Sequence, residues 1–195
     1  DDGLRGRAAH TAEAQQRVGN TVGPRQALEN CLELQLGVDA KAAISPAALL
    51  RAAELAYLIA QLPPPATESN SSHIATDWQR SRELWRRVAT SSPLNPACER
   101  ALARANRHLA GAKMASDAEA ARGFLAEAIA SHEAAGIGAT TPRDEIEQYI
   151  HCRLEAAKLD EQSKRVASAR QHVAELLASI EQLAAAAPSE SWLVF

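Results

Sequence analysis

The sequence is poor in aromatic and β-branched residues. Only 4% of its 195 residues are aromatic, and Val and Ile together number 15. Because strands are enriched in these residue types, their scarcity argues against a β-sheet. The hydrophobic 46% comes mainly from 43 Ala and 21 Leu, which are strong helix formers. The composition therefore predicts an all-α protein, an irregular bundle of six or seven helices with no β-sheet.

Cysteine is scarce as well. Cys31, Cys98 and Cys152 are too few for a disulfide framework and too far apart for a zinc site. Whether two of them pair stays open. None of the six histidines follows an acidic residue by three positions, the spacing that di-metal helical bundles use. The sequence therefore predicts no metal site and no cofactor.

Long apolar runs are missing. The longest, at 52–62, contains Glu54 and Gln61 and is shorter than a bilayer requires. We therefore expect no transmembrane segment. The first residue is Asp1 rather than Met, which favours a processed mature chain of a secreted, periplasmic or organellar protein over a cloned fragment.

An overall excess of basic charge is absent too. The net charge of −3 argues against a protein that coats nucleic acid. The region 76–115 is locally basic and contains Trp78 and Trp85. Because these tryptophans are seven residues apart, we expect them to share one helix face and to pack in the core. The arginines of this region can pair with the acidic residues of 116–195, so no nucleic-acid partner is predicted.

Helix start and stop signals divide the N-terminal part of the chain. They predict helices at 8–18, 24–36 and 46–62. The third begins strongly at Ser45-Pro46, since Ser caps a helix and Pro suits its first turn. Its residues are apolar on nearly every side, so we expect it to be the most buried element.

The residues 63–75 are rich in Pro and Ser and are predicted to form a linker. This linker would separate the N-terminal helices, 1–62, from a helical bundle at 76–195. Within the bundle, 96–112 and 117–135 each carry one clean apolar stripe. Together they resemble a helix-turn-helix unit of the tetratricopeptide type at three positions, Ala121, Leu125 and Ala128. The aromatic and Gly residues of that repeat are absent, and no second copy follows.

The bundle ends in a long predicted helix at 142–187, with no Gly or Pro before Pro188. Its second half carries a coiled-coil seam with spacings of three and four: Val166, Ala169, Val173, Leu176, Ile180, Leu183 and Ala187. Its first half carries a different apolar row, with Ile146 and Ile150, on the opposite side. Two alternatives follow. Either the helix breaks within 158–165, or one rod docks its first half on the bundle and its second half on a partner.

No catalytic arrangement is evident in the sequence. There is no Gly-rich phosphate loop and no Gly-x-Ser-x-Gly. Cys98 lies in an apolar stripe and Cys31 beside a row of leucines, so both are expected to be packed thiols. His151 and Cys152 are adjacent, which on a helix turns them about 100° apart. We therefore expect that the protein is not an enzyme.

The sequence ends on apolar residues where polar ones are usual. Together with the seam, this tail predicts a non-catalytic interaction or scaffold protein, an accessory or adaptor subunit of a larger assembly. Its partner would be another protein or a second copy, held by the long C-terminal helix and the tail. The predicted contact residues are Val173, Leu176, Ile180, Leu183, Trp192, Leu193, Val194 and Phe195.

Two other functions remain open from the sequence. The Ala-rich helix faces could leave a cavity for a small apolar ligand near Tyr57, Trp78 and Trp85. A small cysteine-dependent enzyme would use Cys98 or Cys152 as its nucleophile.

Overall fold

The computed structural model describes residues 22–38, 44–63, 70–92, 95–138 and 140–186. These residues form seven α-helices and no β-strand, which confirms the predicted all-α bundle. The predicted helix at 8–18 and the tail lie outside the described residues. In chain order the helices are α1 (Val22–Val38), α2 (Pro46–Gln61), α3 (Asn70–Ser91), α4 (Pro96–Lys113), α5 (Ala118–Ala135), α6 (Arg143–Gln162) and α7 (Val166–Ala186).

The chain divides into two compact units, residues 1–93 and 94–195. The first contains α1 to α3 and the second contains α4 to α7. The linker predicted at 63–75 is partly wrong, because α3 begins at Asn70 and its first turns are helical. The single bundle predicted at 76–195 does not include α3, which packs on α2 in the first unit.

In the first unit, α2 packs against both α1 and α3. Its N-terminus is capped by Ser45, whose side chain accepts a hydrogen bond from the Ala48 N–H at 3.2 Å. Small residues let the neighbouring helices approach closely, and Ala52 and Ala53 are fully buried. The helix is not enclosed on every side, since Leu58 is 46% exposed.

The two tryptophans of α3 pack in the core, as their spacing predicted. Trp78 and Trp85 are buried, and the Trp78 ring meets Tyr57 edge to face with centroids 5.7 Å apart. A buried arginine of α1, Arg25, donates hydrogen bonds to the Ile59 carbonyl and to Asp77. These contacts connect all three helices of the unit.

In the second unit, α4 and α5 form a closely packed hairpin, α6 packs on α5, and α7 packs on α6. The helices predicted at 96–112 and 117–135 begin within one residue of α4 and α5, and Asn95 and Asp117 cap the two observed helices through their side chains. Gly136, at a φ of 79°, ends α5 in a conformation that suits glycine. The stripe predicted for α5 is buried, with Leu125 and Ala128 fully enclosed.

The single helix predicted at 142–187 is wrong, and the alternative of a break within 158–165 is the one observed. Helix α6 ends at Gln162 and α7 begins at Val166. Lys164 adopts a positive φ of 59°, and the Arg165 N–H donates to the Asp160 carbonyl at 2.7 Å. A residue in the left-handed region together with this bond closes a helix end. The chain reverses there, and α7 runs back along α6.

None of the seven helices is long and apolar enough to cross a membrane.

Candidate functional site

A buried arginine holds α7 against the rest of the second unit. Arg153 of α6 is 7% exposed. Its guanidinium forms ion pairs with Glu133 of α5 and Glu175 of α7, and its Nε donates to the Tyr149 hydroxyl at 3.1 Å. The planar guanidinium can serve several oxygens at once, so one side chain joins three helices.

The carboxylate of Glu175 is stabilised in its charged form. Hydrogen bonds from Gln171 and Arg153 lower its pKa, although partial burial opposes them. The Tyr149 hydroxyl lies 3.3 Å from the Ser179 hydroxyl, one turn further along α7. The polar contacts of α7 therefore cover two turns of its inner side.

A second ion pair joins α5 to the end of α6, beside the turn that leads into α7. Asp160 is 1% exposed and accepts a hydrogen bond from Arg122 Nε of α5 at 2.6 Å. His172 of α7 lies 3.8 Å from the same carboxylate. Burial raises the pKa of Asp160, but hydrogen bonds from Ser168 and Arg122 outweigh it and hold the pKa below its usual range.

The inner side of α7 also buries apolar residues at the middle of the helix and near its C-terminal end. Leu176 and Leu183 are both 5% exposed. Leu183 forms a small core with Ile146 of α6, and the half-buried Ile137 and Ile150 pack against it. Together with the ion pairs, these contacts determine which side of α7 turns inward.

An open groove of about 550 Å³ lies between α5, α6 and α7, next to the contacts of Arg153. Its ionisable lining residues are Glu133, Arg153, His172 and Glu175. The arginine is paired with both glutamates. These groups satisfy one another, so the groove offers a ligand no uncommitted charge among them.

The outer side of α7 is apolar and open to solvent. Val166, Val173 and Leu177 are 51%, 41% and 55% exposed. Their spacings of seven and four place them on one helix face. Alanines surround them, all exposed except the half-buried Ala184, which packs at its edge against the Ile146–Leu183 core. Arg170 and Glu181 are the charged residues of this face. We call this surface the α7 outer face, and it consists of Val166, Ala167, Arg170, Val173, Ala174, Leu177, Ala178, Glu181, Ala184 and Ala185.

The predicted seam is divided between the two sides of α7. Val173 lies on the outer face and Ile180 is half-buried, but Leu176 and Leu183 pack inside their own chain. Trp192, Leu193, Val194 and Phe195 lie outside the described residues. Leu177 was not predicted as a contact residue, because the predicted seam contains the adjacent Leu176 instead. The spacing of Val166, Val173 and Leu177 was the available signal.

The arginines predicted to pair with the acidic C-terminal region do so in the second unit. Arg104 of α4 pairs with Asp144 at 2.8 Å and with Glu145, and Arg107 pairs with Glu155 at 3.4 Å. In the first unit, Trp78 and Trp85 are 3% and 6% exposed, so their rings present little face for stacking on bases.

The two cysteines considered as nucleophiles are deeply buried. Cys98 is 1% exposed and Cys152 is fully enclosed. Burial raises the pKa of Cys98 to about 11 and that of Cys152 to about 12. Cys31, Cys98 and Cys152 form no disulfide bond with one another. An activated cysteine needs a lowered pKa, so both environments act against nucleophilic use.

We expect Cys31 to be the one fast-reacting thiol of the folded chain, because it is half-buried whereas the other two are enclosed. Titration with an aromatic disulfide reagent should release about one equivalent rapidly and all three after unfolding. The Cys31→Ser variant should lose the rapid phase. Rapid labelling of Cys98 or Cys152 in the folded chain would contradict their burial.

Within the described ranges, no group of three or more His, Cys, Asp or Glu side chains is placed to hold a metal ion. No protein-family model matches the sequence, and no curated protein matches it. A proposal about function therefore depends on the fold class and on the α7 outer face.

Proposed function

We propose that this chain is a non-catalytic helical interaction protein, an accessory or adaptor subunit that binds a protein partner through the α7 outer face. The observation that supports the proposal is the exposure of Val166, Val173 and Leu177 on one side of a helix whose other side is firmly anchored. Covering such half-exposed side chains contributes on the order of 1 kcal/mol each. An amphipathic helix face of this kind is a common mode of recognition between proteins.

The anchoring of α7 also supports a binding role. The buried side chain of Arg153 pairs with Glu175 of α7 and Glu133 of α5, whose carboxylates are partly exposed. Arg122 of α5 pairs with Asp160 at the end of α6, beside the turn that leads into α7. A rigid helix loses little conformational entropy when a partner binds to it. The apolar tail from Trp192 to Phe195 belongs to the same proposal on the ground of sequence alone.

The other functions considered from the sequence have less support. In the first unit, the Trp78 ring contacts Tyr57 edge to face, and Trp85 is buried. Both tryptophan rings are therefore packed in the core of the first unit. The raised pKa values of Cys98 and Cys152 disfavour the thiolate that an enzyme would use.

Photo-crosslinking at position 177 tests the proposal. A benzophenone side chain replacing Leu177 should crosslink to a protein partner, whereas the same group at Gln182 should not. Gln182 is exposed on the same helix but lies outside the outer face. The partner identified by the crosslink is then purified in its free form. Its affinity for the chain without the benzophenone group is measured.

In the affinity measurement, we expect Leu177→Asp to weaken binding of the partner at least about tenfold, since a buried charge opposes an apolar contact. Gln182→Asp is the matched control and should leave the affinity unchanged. Equal crosslinking at both positions, or equal loss of affinity in both variants, would overturn the assignment of the outer face.

A further inference from the structure

The α7 outer face has an internal symmetry. Arg170 and Glu181 are eleven residues apart, which is about three turns and brings both to nearly the same side. The midpoint between them lies between Glu175 and Leu176. The pairs Ala174 with Leu177, Val166 with Ala185, Ala167 with Ala184 and Val173 with Ala178 share this midpoint.

This symmetry makes the face complementary to itself when two copies run in opposite directions. A two-fold axis beside the midpoint brings each residue opposite the other member of its pair. Arg170 of one copy then meets Glu181 of the other, and Leu177 meets the small Ala174. Opposite charges and large-to-small contacts are what a packed helix interface requires.

We propose that the α7 outer face binds the same face of a second copy of this chain in an antiparallel arrangement with two-fold symmetry. This inference rests on the proposed interaction function and names its partner. A closed interface between identical surfaces is the most common form of self-association. The two Arg170–Glu181 pairs would set the register and the direction of the helices.

Other occupants complement the face less well. A parallel pair would bring Arg170 against Arg170 and Glu181 against Glu181, and like charges oppose association. The segment 187–195 of this chain contains one acidic and no basic residue, so it brings no side chain of opposite charge to Glu181. Of the three arrangements compared, the antiparallel second copy is the one that matches both charges and both sizes.

The predicted dimer is of moderate strength. Contact through one helix from each copy buries less than the roughly 1,600 Å² of a standard interface. We therefore expect a dissociation constant on the order of micromolar, and a mass that rises with concentration. Analytical ultracentrifugation of the full chain should show a reversible transition from one chain to two.

Charge reversal tests both the face and the direction. Arg170→Glu and Glu181→Arg each place like charges opposite one another in the antiparallel dimer. Each single variant should weaken association at least about tenfold. The double variant restores opposite charges and should recover most of the loss. Lys158→Glu, at an exposed site on α6, is the control and should have no effect.

Circular dichroism establishes that every variant keeps its helical content, and the double variant guards against loss through misfolding. A monomer at all concentrations, or a double variant no stronger than the singles, overturns the antiparallel dimer. The proposed interaction function fails separately, through the crosslinking at position 177. A crosslink there to a different protein, or to segment 187–195 of the same chain, would also overturn the dimer.

Discussion

Lowering the pH from about 6.5 to about 4 is expected to reduce the free energy of unfolding of the second unit by about 3 kcal/mol through His132 alone. Burial, with a contribution from the positive charges of Arg104 and Arg107, lowers the pKa of His132 from 6.5 to about 4. The unfolded chain therefore binds the proton more readily than the folded chain. The stability is complete above pH 6.5 and falls as the pH drops towards 4.

The surroundings of His132 explain why the ring stays neutral. The side chain is fully enclosed between α4, α5 and α6, and it meets the Tyr149 ring edge to face at 6.0 Å. Neither ring nitrogen has a hydrogen-bond partner among the described residues. The nearest carboxylate oxygen, of Glu145, lies 4.0 Å from Nδ1, which is too far for a hydrogen bond. A proton there would be poorly solvated.

Urea unfolding at pH values between 7.5 and 4.5 measures this effect, and hydrogen exchange of amides in α5 and α6 confines it to the second unit. His132→Leu should flatten the pH dependence in this range, whereas His151→Gln, at an exposed site, should not. The carboxylates of Asp160 and Glu175, whose pKa values are lowered, lose their contribution at more acidic pH. An unchanged slope in His132→Leu would rule out this origin.

Arg122→Met is expected to destabilise the second unit by about 3 kcal/mol at neutral pH, because it leaves the Asp160 carboxylate buried without its ion pair. Asp160 is 1% exposed, and Arg122 Nε is its partner at 2.6 Å. Methionine keeps the aliphatic part of the side chain, so the loss reports on the charge rather than on packing. Ser168 and His172 remain near the carboxylate and limit the cost.

Chemical unfolding of matched variants tests this assignment. Arg165→Met removes an ion pair to Glu119 in which both side chains are more than half exposed, and it should cost less than about 0.5 kcal/mol. Adding Asp160→Asn to Arg122→Met should recover part of the loss, since no buried charge then remains. If Arg122→Met is no more costly than Arg165→Met, the ion pair does not stabilise this turn.

The sequence allowed the helical class and most helix starts to be predicted, because these depend on local properties. Alanine and leucine favour helices throughout, and Ser45, Asn95 and Asp117 cap helices through bonds to their own next turn. The end of α6 was predicted only as one of two alternatives. No Gly or Pro marks it, and Lys164 adopts its positive φ where α7 folds back onto α6.

By itself, then, the sequence determined that the chain forms an Ala- and Leu-rich helical bundle. It also determined that the last predicted helix carries more apolar residues than one buried face requires. Only the tertiary structure decided which of those residues are exposed. Leu176 and Leu177 are equally apolar and lie 100° apart on the helix. The spacing of apolar residues therefore does not show which of the two is buried. Arg153 and Tyr149 bind Glu175 and Ser179, which turns Leu176 inward and leaves Leu177 on the outer face. The candidate site results from contacts between α6 and α7 that are distant in sequence, and local periodicity carries no information about them.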